Sequence, residues 1–185
     1  DNFIKLANQH FFDSTLFHRV IPQFVIQGGD PDSKHAVAGQ ELGNGELGYR
    51  IPAEINDSDF HKRGAVGMAR DNNPEKASSA CQFYIVVGKK WTDAELNKVQ
   101  MRTHRNFTPT QRQTYETIGG TPHLDGGYTV FGEVLEGMDV VDKIANVARD
   151  QHDRPKQDIR MISVRMLGEH AEKKHKKHHK FLGIF

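Results

Sequence analysis

The chain has 185 residues, and its 25 Lys and Arg nearly balance 24 Asp and Glu, for a formal net charge of +1 at pH 7. This length suits one domain with a single core, and no apolar run approaches the roughly 20 residues that cross a bilayer. Residues 169–185 contain five Lys against two Glu, so the rest of the chain is slightly acidic. A basic nucleic-acid surface on the body is therefore excluded.

Short β-prone runs bounded by Gly, Asp or Asn dominate the chain. We predict strands within residues 16–21, 23–27, 65–69, 83–87, 128–134 and 159–167. Many short strands joined by irregular loops favour a mainly β fold, a closed antiparallel barrel with a few short helices.

Helical patterns occur in few places. Asp1 can cap a short first helix, and residues 92–95 (TDAE) form a capping box. Thr108 followed by Pro109 predicts another helix start, because proline is favoured in the first helical position. We therefore predict a helical hairpin inserted at about residues 89–122, and a further short helix over residues 138–145.

The end of the chain differs in composition from the rest. Residues 169–180 (EHAEKKHKKHHK) are of low complexity and have no apolar period. We predict a domain over residues 1–168 and a flexible Lys/His-rich tail over residues 169–185. The clustered histidines can bind a metal adventitiously, but we predict no metal site.

Two other motifs are interpreted as structural. Residues 43–48 (GNGELG) have the spacing of a dinucleotide loop, but Pro52 follows where a helix should begin, so we predict an irregular loop. Cys81 is the single cysteine, which excludes an internal disulfide, and is interpreted as a packed residue.

Four blocks of the chain point to one enzyme family. They are residues 17–30 (FHRVIPQFVIQGGD), 64–70 (GAVGMAR), 79–85 (SACQFYI) and 123–132 (HLDGGYTVFG). The first closely resembles the signature strand pair of cyclophilins, and the other three match later segments in the same order. The resemblance implies a peptidyl-prolyl cis/trans isomerase (rotamase) that acts on proline-containing segments of unfolded or flexible proteins, assists folding and needs no cofactor.

The resemblance also implies the site. Arg19 would be the catalytic residue, beside an apolar proline pocket, while two glutamines orient it and the backbone around Ala69 and Arg70 holds the peptide. The substrate-binding residues implied are Phe24, Val25, Gln27, Ala69, Arg70, Gln82, Tyr84, His123, Leu124 and Tyr128.

The chemistry of an X-Pro bond agrees with this set of residue types. The amide rotates over a barrier of roughly 18–20 kcal/mol, because the nitrogen lone pair gives the bond partial double character. A guanidinium is permanently charged and presents several donors, so Arg19 can hydrogen-bond the prolyl nitrogen as the bond twists. The proline ring is apolar and has no N–H, so it needs an apolar pocket beside that charge.

The chain also departs from the family. Cyclophilins generally have two strands before the helix with which this chain opens, so we expect the first β-hairpin to be lacking and sheet edges to be exposed. His123 stands where cyclosporin-sensitive members have Trp, so we expect weak cyclosporin binding. Tyr84 and Tyr128 replace Phe and His and keep an aromatic wall with a polar tip. The inserted hairpin resembles that of some bacterial members.

Other readings remain open. The chain can be a proline-segment binding module with little catalysis, or a polyanion- or metal-binding protein defined by its tail. We expect a monomer without a membrane span or nucleic-acid partner. A start at Asp1 rather than Met indicates that the natural start is missing, so localisation, in the bacterial cytoplasm or periplasm, stays an expectation.

Overall fold

The computed structural model describes residues 1–167 and the strand Leu182–Ile184. Four α-helices and nine strands lie in these ranges. The helices are α1 Asn2–Asn8, α2 Asp93–Thr103, α3 Pro109–Thr117 and α4 Met138–Ala145. The strands are β1 Arg19–Val20, β2 Val25–Gly28, β3 Arg50–Ile51, β4 Ala65–Met68, β5 Ser78–Ser79, β6 Phe83–Val86, β7 Val130–Glu133, β8 Val164–Met166 and β9 Leu182–Ile184.

The helices begin where their capping residues predict. The side chains of Thr92 and Thr108 each accept a hydrogen bond from the backbone N–H three residues later, and a full capping box forms at both starts. Asp1 stands at the N-cap of α1 but makes no side-chain cap bond. Helices α2 and α3 lie within the segment of about residues 89–122 for which the helical hairpin was predicted.

One antiparallel sheet organises the domain. Its strand order is β1-β2-β6-β4-β7, while β3 pairs with β5 and β8 pairs with β9 in separate ladders. The mainly antiparallel fold with few helices is thus confirmed. A closed barrel is not confirmed, because β1 and β7 are the two edges of this sheet within the described residues and do not pair with each other.

The two faces of the sheet carry different residues. Alternation along β2 puts Ile26 into a core cluster with the aromatic residues Phe3, Phe12 and Phe83, between the sheet and the helices α1 and α4. The neighbouring Val25 lies in a second cluster on the other face. The first face forms the main core, and the second face is the one on which a binding site can lie.

A cavity of about 960 Å³ opens on the core face, beside the edge strand β7. Phe3, Phe17 and Ile26 line its floor, while Phe131 lines its β7 side and Met161 the side of the segment leading to β8. The cavity thus lies against β7, an edge of the five-stranded sheet within the described residues.

The tail prediction lies mostly outside the described residues. β9 is described by its backbone, and it pairs antiparallel with β8, with Val164 opposite Ile184 and Met166 opposite Leu182. No described helix is both long and apolar enough to cross a membrane.

Candidate active site

The register of the sheet places the candidate site in one row. Arg19 pairs with Gln27, Gln27 with Tyr84, Tyr84 with Gly67, and Gly67 with Val130. Directly opposed residues share a face of the sheet. Four separate sequence segments therefore contribute to one surface, on the side opposite the main core.

A chain of polar side chains orients Arg19. Its Nη1 donates to Oε1 of Gln27 at 3.5 Å, and Nε2 of Gln27 donates to Oε1 of Gln82 at 3.1 Å. Gln82 is buried, and its Nε2 donates to the backbone carbonyls of Gly43 and Gly45 at 2.9 Å each. Each glutamine side-chain amide makes hydrogen bonds through both its oxygen and its nitrogen. The position of Arg19 therefore depends on a connected network of hydrogen bonds that ends at the backbone.

The glycine-rich loop is the anchor of that row. The carboxylate of Asp30 accepts hydrogen bonds from the backbone N–H groups of Gly43 and Gly45. No helix follows the loop, so the interpretation of residues 43–48 as an irregular loop is confirmed. The loop supports the site through Gln82.

Arg19 is half-buried, and its guanidinium has no acidic partner within residues 1–167. The guanidinium carbon lies 5.9 Å from the centre of the Phe24 ring, within the range of a cation–π contact. Within residues 1–167, Arg19 has no ion pair with a carboxylate, although ten pairs between a Lys or Arg and a carboxylate occur elsewhere in that range. A charged donor next to an apolar surface is available for a ligand.

The apolar surface is the second hydrophobic cluster of the sheet. Its buried members include Val25, Ala69 and Tyr84. Partly buried side chains pack around them and leave part of their surface to solvent: Phe24, Leu124, Tyr128 and Val130. The structure thus brings together the pocket residues predicted from four separate segments.

His123 forms the outer wall beside Phe24. The two rings are stacked with centroids 5.4 Å apart, and the ring of Trp91 lies 6.1 Å from His123. Burial lowers the pKa of His123, and the positive charge of Arg102 acts in the same direction. A neutral imidazole therefore contributes a flat ring to this wall, and Trp91, which the sequence did not mark as a site residue, lies next to it.

Arg70 and Ala69 close the opposite end. Nε of Arg70 donates to the carbonyl of Gly127 at 2.7 Å, and its guanidinium lies 4.7 Å from the centre of the Tyr128 ring. The backbone N–H of Ala69 donates to Gln82, and its carbonyl accepts from β5. Both backbone groups of Ala69 therefore have a partner within the domain, and the carbonyl oxygen keeps a second lone pair.

Three further residues lie directly behind this surface and were not predicted. His61 and Asp125 are buried and bonded to each other, and His61 also bonds the hydroxyl of Tyr84. Tyr84 thus turns its polar tip away from the pocket. Gly67 lies under the Tyr84 ring, and a glycine inside a strand was the one sequence signal for such a close approach.

These features define the class of the molecule: a mainly antiparallel β domain in which the guanidinium of Arg19, without an ion pair within residues 1–167, lies beside an apolar surface on a sheet face. Comparison with known proteins then identifies the family. The model of the family described as cyclophilin type peptidyl-prolyl cis-trans isomerase/CLD matches residues 1–166. The chain belongs to this family.

Curated relatives support the same assignment. A peptidyl-prolyl cis-trans isomerase of Acinetobacter baylyi is 34% identical over 171 residues, which cover 89% of this chain and 71% of the relative. A putative bifunctional phosphatase/peptidyl-prolyl cis-trans isomerase of Streptococcus pyogenes is 35% identical over 85% of this chain, but the match spans only 32% of that longer protein. The prediction of a peptidyl-prolyl isomerase is confirmed.

Solved structures agree on the fold. A Cryptosporidium parvum cyclophilin type peptidyl-prolyl cis-trans isomerase, crystallised in the presence of the dipeptide Ala-Pro, superposes with a TM-score of 0.59. It is 24% identical, and the match covers 91% of this chain and 84% of that one. At this identity, the likeness concerns the fold alone.

Proposed function

We propose that Arg19 is the catalytic residue of this isomerase and that the surface around it binds proline-containing segments of unfolded or flexible proteins. The observation that carries the proposal is the position of the Arg19 guanidinium, which bonds Gln27, lies beside Phe24 at the edge of the second apolar cluster and makes no ion pair within residues 1–167. In this arrangement the proline ring packs against the apolar cluster, while the guanidinium of Arg19 reaches the prolyl nitrogen.

The reaction requires no proton transfer. As the X-Pro bond twists, the nitrogen loses conjugation and its lone pair becomes a hydrogen-bond acceptor. A hydrogen bond from Arg19 at that moment stabilises the twisted state more than the planar one, which lowers the barrier. A thousandfold acceleration needs about 4 kcal/mol of such preferential stabilisation, within the range of charge-assisted hydrogen bonds acting with an oriented apolar pocket.

The anchored glutamines fit this role. Gln27 holds the guanidinium by a long bond of 3.5 Å, so Arg19 keeps most of its donors for a substrate. Gln82 is bound on three sides and cannot turn freely. We assign Gln27 and Gln82 the orientation of Arg19, and Phe24, Val25, Leu124 and Tyr128 the wall of the pocket.

Replacing Arg19 tests the mechanism. Arg19→Ala is expected to lower kcat/KM for a proline peptide by about two to three orders of magnitude, because the transition-state hydrogen bond is lost. Arg19→Lys is the matched variant, which keeps the charge but not the planar fork, and we expect it to recover only part of the rate. The measurement is exchange NMR on a proline peptide, which reports turnover and binding together.

The same measurement separates the second candidate function, a proline-segment binding module. A module of that kind would bind the peptide without exchange enhancement, and Arg19→Ala would change affinity alone. Rates that are equal in the parent and in Arg19→Ala would overturn the assignment of the catalytic residue.

A further inference from the structure

A buried cluster of four side chains lies behind the pocket and connects it with helix α3. Asp125 is the centre of this cluster. One carboxylate oxygen accepts from the backbone N–H of His61 at 2.9 Å and lies 2.8 Å from its Nδ1, and the other accepts from the Tyr115 hydroxyl at 2.6 Å. On the other side of the imidazole, Nε2 of His61 lies 2.8 Å from the Tyr84 hydroxyl. The described side chains of all four residues are buried.

The proton positions in this cluster follow from the partners. A carboxylate oxygen accepts hydrogen bonds, so the contact between Asp125 and His61 is a hydrogen bond when Nδ1 of His61 carries the hydrogen. Nε2 is then an acceptor, and the Tyr84 hydroxyl donates to it. Burial raises the pKa of Tyr84 well above its usual range, which keeps that hydroxyl protonated. Every polar atom of the cluster therefore has a defined role, and a single arrangement is favoured.

The position of the Tyr84 ring depends on this bond and on Gly67. A Cβ added at Gly67 would lie 2.4 Å from Cζ of Tyr84 and 2.5 Å from its hydroxyl oxygen. Any larger residue at position 67 would therefore collide with the ring. The ring crosses the strand over Gly67 to reach His61, with which it stacks at a centroid distance of 6.0 Å. The rings of Tyr84 and Tyr128 lie 6.0 Å apart in a T-shaped arrangement.

The cluster also holds the opposite wall of the pocket. Asp125 directly follows His123 and Leu124 and precedes Tyr128 by three positions, so its three accepted bonds anchor the segment that carries those wall residues. Tyr115 belongs to α3, in the inserted hairpin. The hairpin is thus linked to both walls of the pocket: Tyr115 bonds Asp125, and Asp125 is connected through His61 to Tyr84.

We propose that His61, Asp125 and Tyr115 are positioning residues for the isomerase site: they set the distance between the Tyr84 wall and the segment of Leu124 and Tyr128, and they make substrate affinity depend on the inserted helical hairpin. This inference rests on the proposed function for its kinetic consequence. The residues do not touch the twisting bond, so they govern binding of the planar and twisted states alike.

Removing the Tyr115 hydroxyl is the most conservative test. Tyr115→Phe leaves Asp125 with the two bonds from His61 and keeps the ring in its packing site. We expect KM for a proline peptide to rise about fivefold, with kcat changed by less than about twofold, because uniform binding is lost. Tyr49→Phe is the matched control, since it removes an exposed tyrosine hydroxyl that bonds Asn2, and it should leave both constants unchanged.

A loss of stability alone must be distinguished from a positioning role. Ile85→Val lies on the same strand as Tyr84 but faces the main core, so it should lower Tm without changing KM. Tyr115→Phe is expected to change KM at a similar or smaller loss in Tm. Unchanged KM in a folded Tyr115→Phe protein would overturn the inference, and so would a fall in kcat at constant KM.

A second readout does not depend on turnover. Heteronuclear NMR of the His61 ring should show the hydrogen on Nδ1 in the parent chain, and Asp125→Asn should alter that ring signal together with the affinity for a proline peptide. If the parent chain binds the peptide but shows no turnover, the proposed function fails while this readout still decides the inference. A His61 ring with its hydrogen on Nε2 in the parent would contradict the arrangement.

Discussion

His18 immediately precedes β1 and Arg19 is its first residue, yet the two side chains have different environments. His18 is 4% exposed, and neither ring nitrogen has a hydrogen-bond partner among residues 1–167. Arg19 reaches the opposite face of the sheet, is half-buried and bonds Gln27. Burial lowers the pKa of His18 to about 4, so this ring is neutral and packed at pH 7.

This burial predicts a pH dependence of stability. In the unfolded chain the pKa of His18 returns to its ordinary value of 6.5, so the unfolded state binds more protons once the pH falls below that value. The stabilisation is complete above pH 6.5 and is lost as the pH falls to about 4. We expect a loss on the order of 3 kcal/mol across this window, measured by urea unfolding at several pH values.

A variant assigns the effect to His18. His18→Leu replaces the imidazole with an apolar side chain of related volume that cannot be protonated. We therefore expect a shallower fall in unfolding free energy between pH 6.5 and 4 than in the parent. His35→Leu, which removes an exposed histidine, is the matched control and should keep the parent slope. An unchanged slope in His18→Leu would refute the assignment.

At the scale of elements, the inserted hairpin is the clearest case of local sequence determining structure. Both of its helices begin with complete capping boxes, and α3 has Pro at its start. Leu96, Val99, Phe107 and Tyr115 form a small hydrophobic cluster of their own. The hairpin therefore has a hydrophobic cluster separate from the main core, and it places Trp91 beside His123 and Tyr115 beside Asp125.

The cap of α3 can be tested directly. Thr108→Ala removes the side-chain acceptor for the N–H of Gln111, and we expect the free energy of unfolding to fall by about 1 kcal/mol. Thr108→Ser retains a hydroxyl and should restore most of that stability, as followed by urea or thermal unfolding. Equal stability of the Ala variant and the parent would show that the cap contributes nothing.

At the scale of the whole molecule, the site and the open side of the sheet are separate. The predicted site residues lie between positions 19 and 128, on one face of the five-stranded sheet. The cavity of about 960 Å³ lies next to β7, mainly against the core face, and Ala65 and Val130 of the second cluster also contribute to its lining. Arg19 does not line the cavity, so the proposed catalytic residue and the cavity are separate.

Truncation tests the predicted domain boundary and the alternative function of the tail. We expect a chain ending at residue 168 to keep kcat/KM within about twofold of the parent, because the row from Arg19 to Val130 is unchanged. Its stability should fall, since β9 no longer pairs with β8. A loss of peptide turnover in a folded truncated chain would make the tail part of the function.

Several structural differences from the sequence predictions have local causes. The strands β1 and β8 are shorter than the predicted runs, because a β-prone run becomes a strand only where a partner supplies the ladder hydrogen bonds. The pair of β3 and β5 was missed, since Ser78–Ser79 has weak β propensity and is placed by pairing with Arg50–Ile51. Helix starts were predicted well because caps act within three residues.

The sequence by itself determined the family blocks, the helix starts and the residue types of the pocket, because these depend on near neighbours and on motifs that can be read along the chain. Only the tertiary structure decided that Asp125 meets His61, 64 positions away, that Tyr84 crosses Gly67, and that the sheet stays open between β1 and β7. Contacts between distant segments depend on strand pairing and packing, and these interactions form only when the whole chain folds.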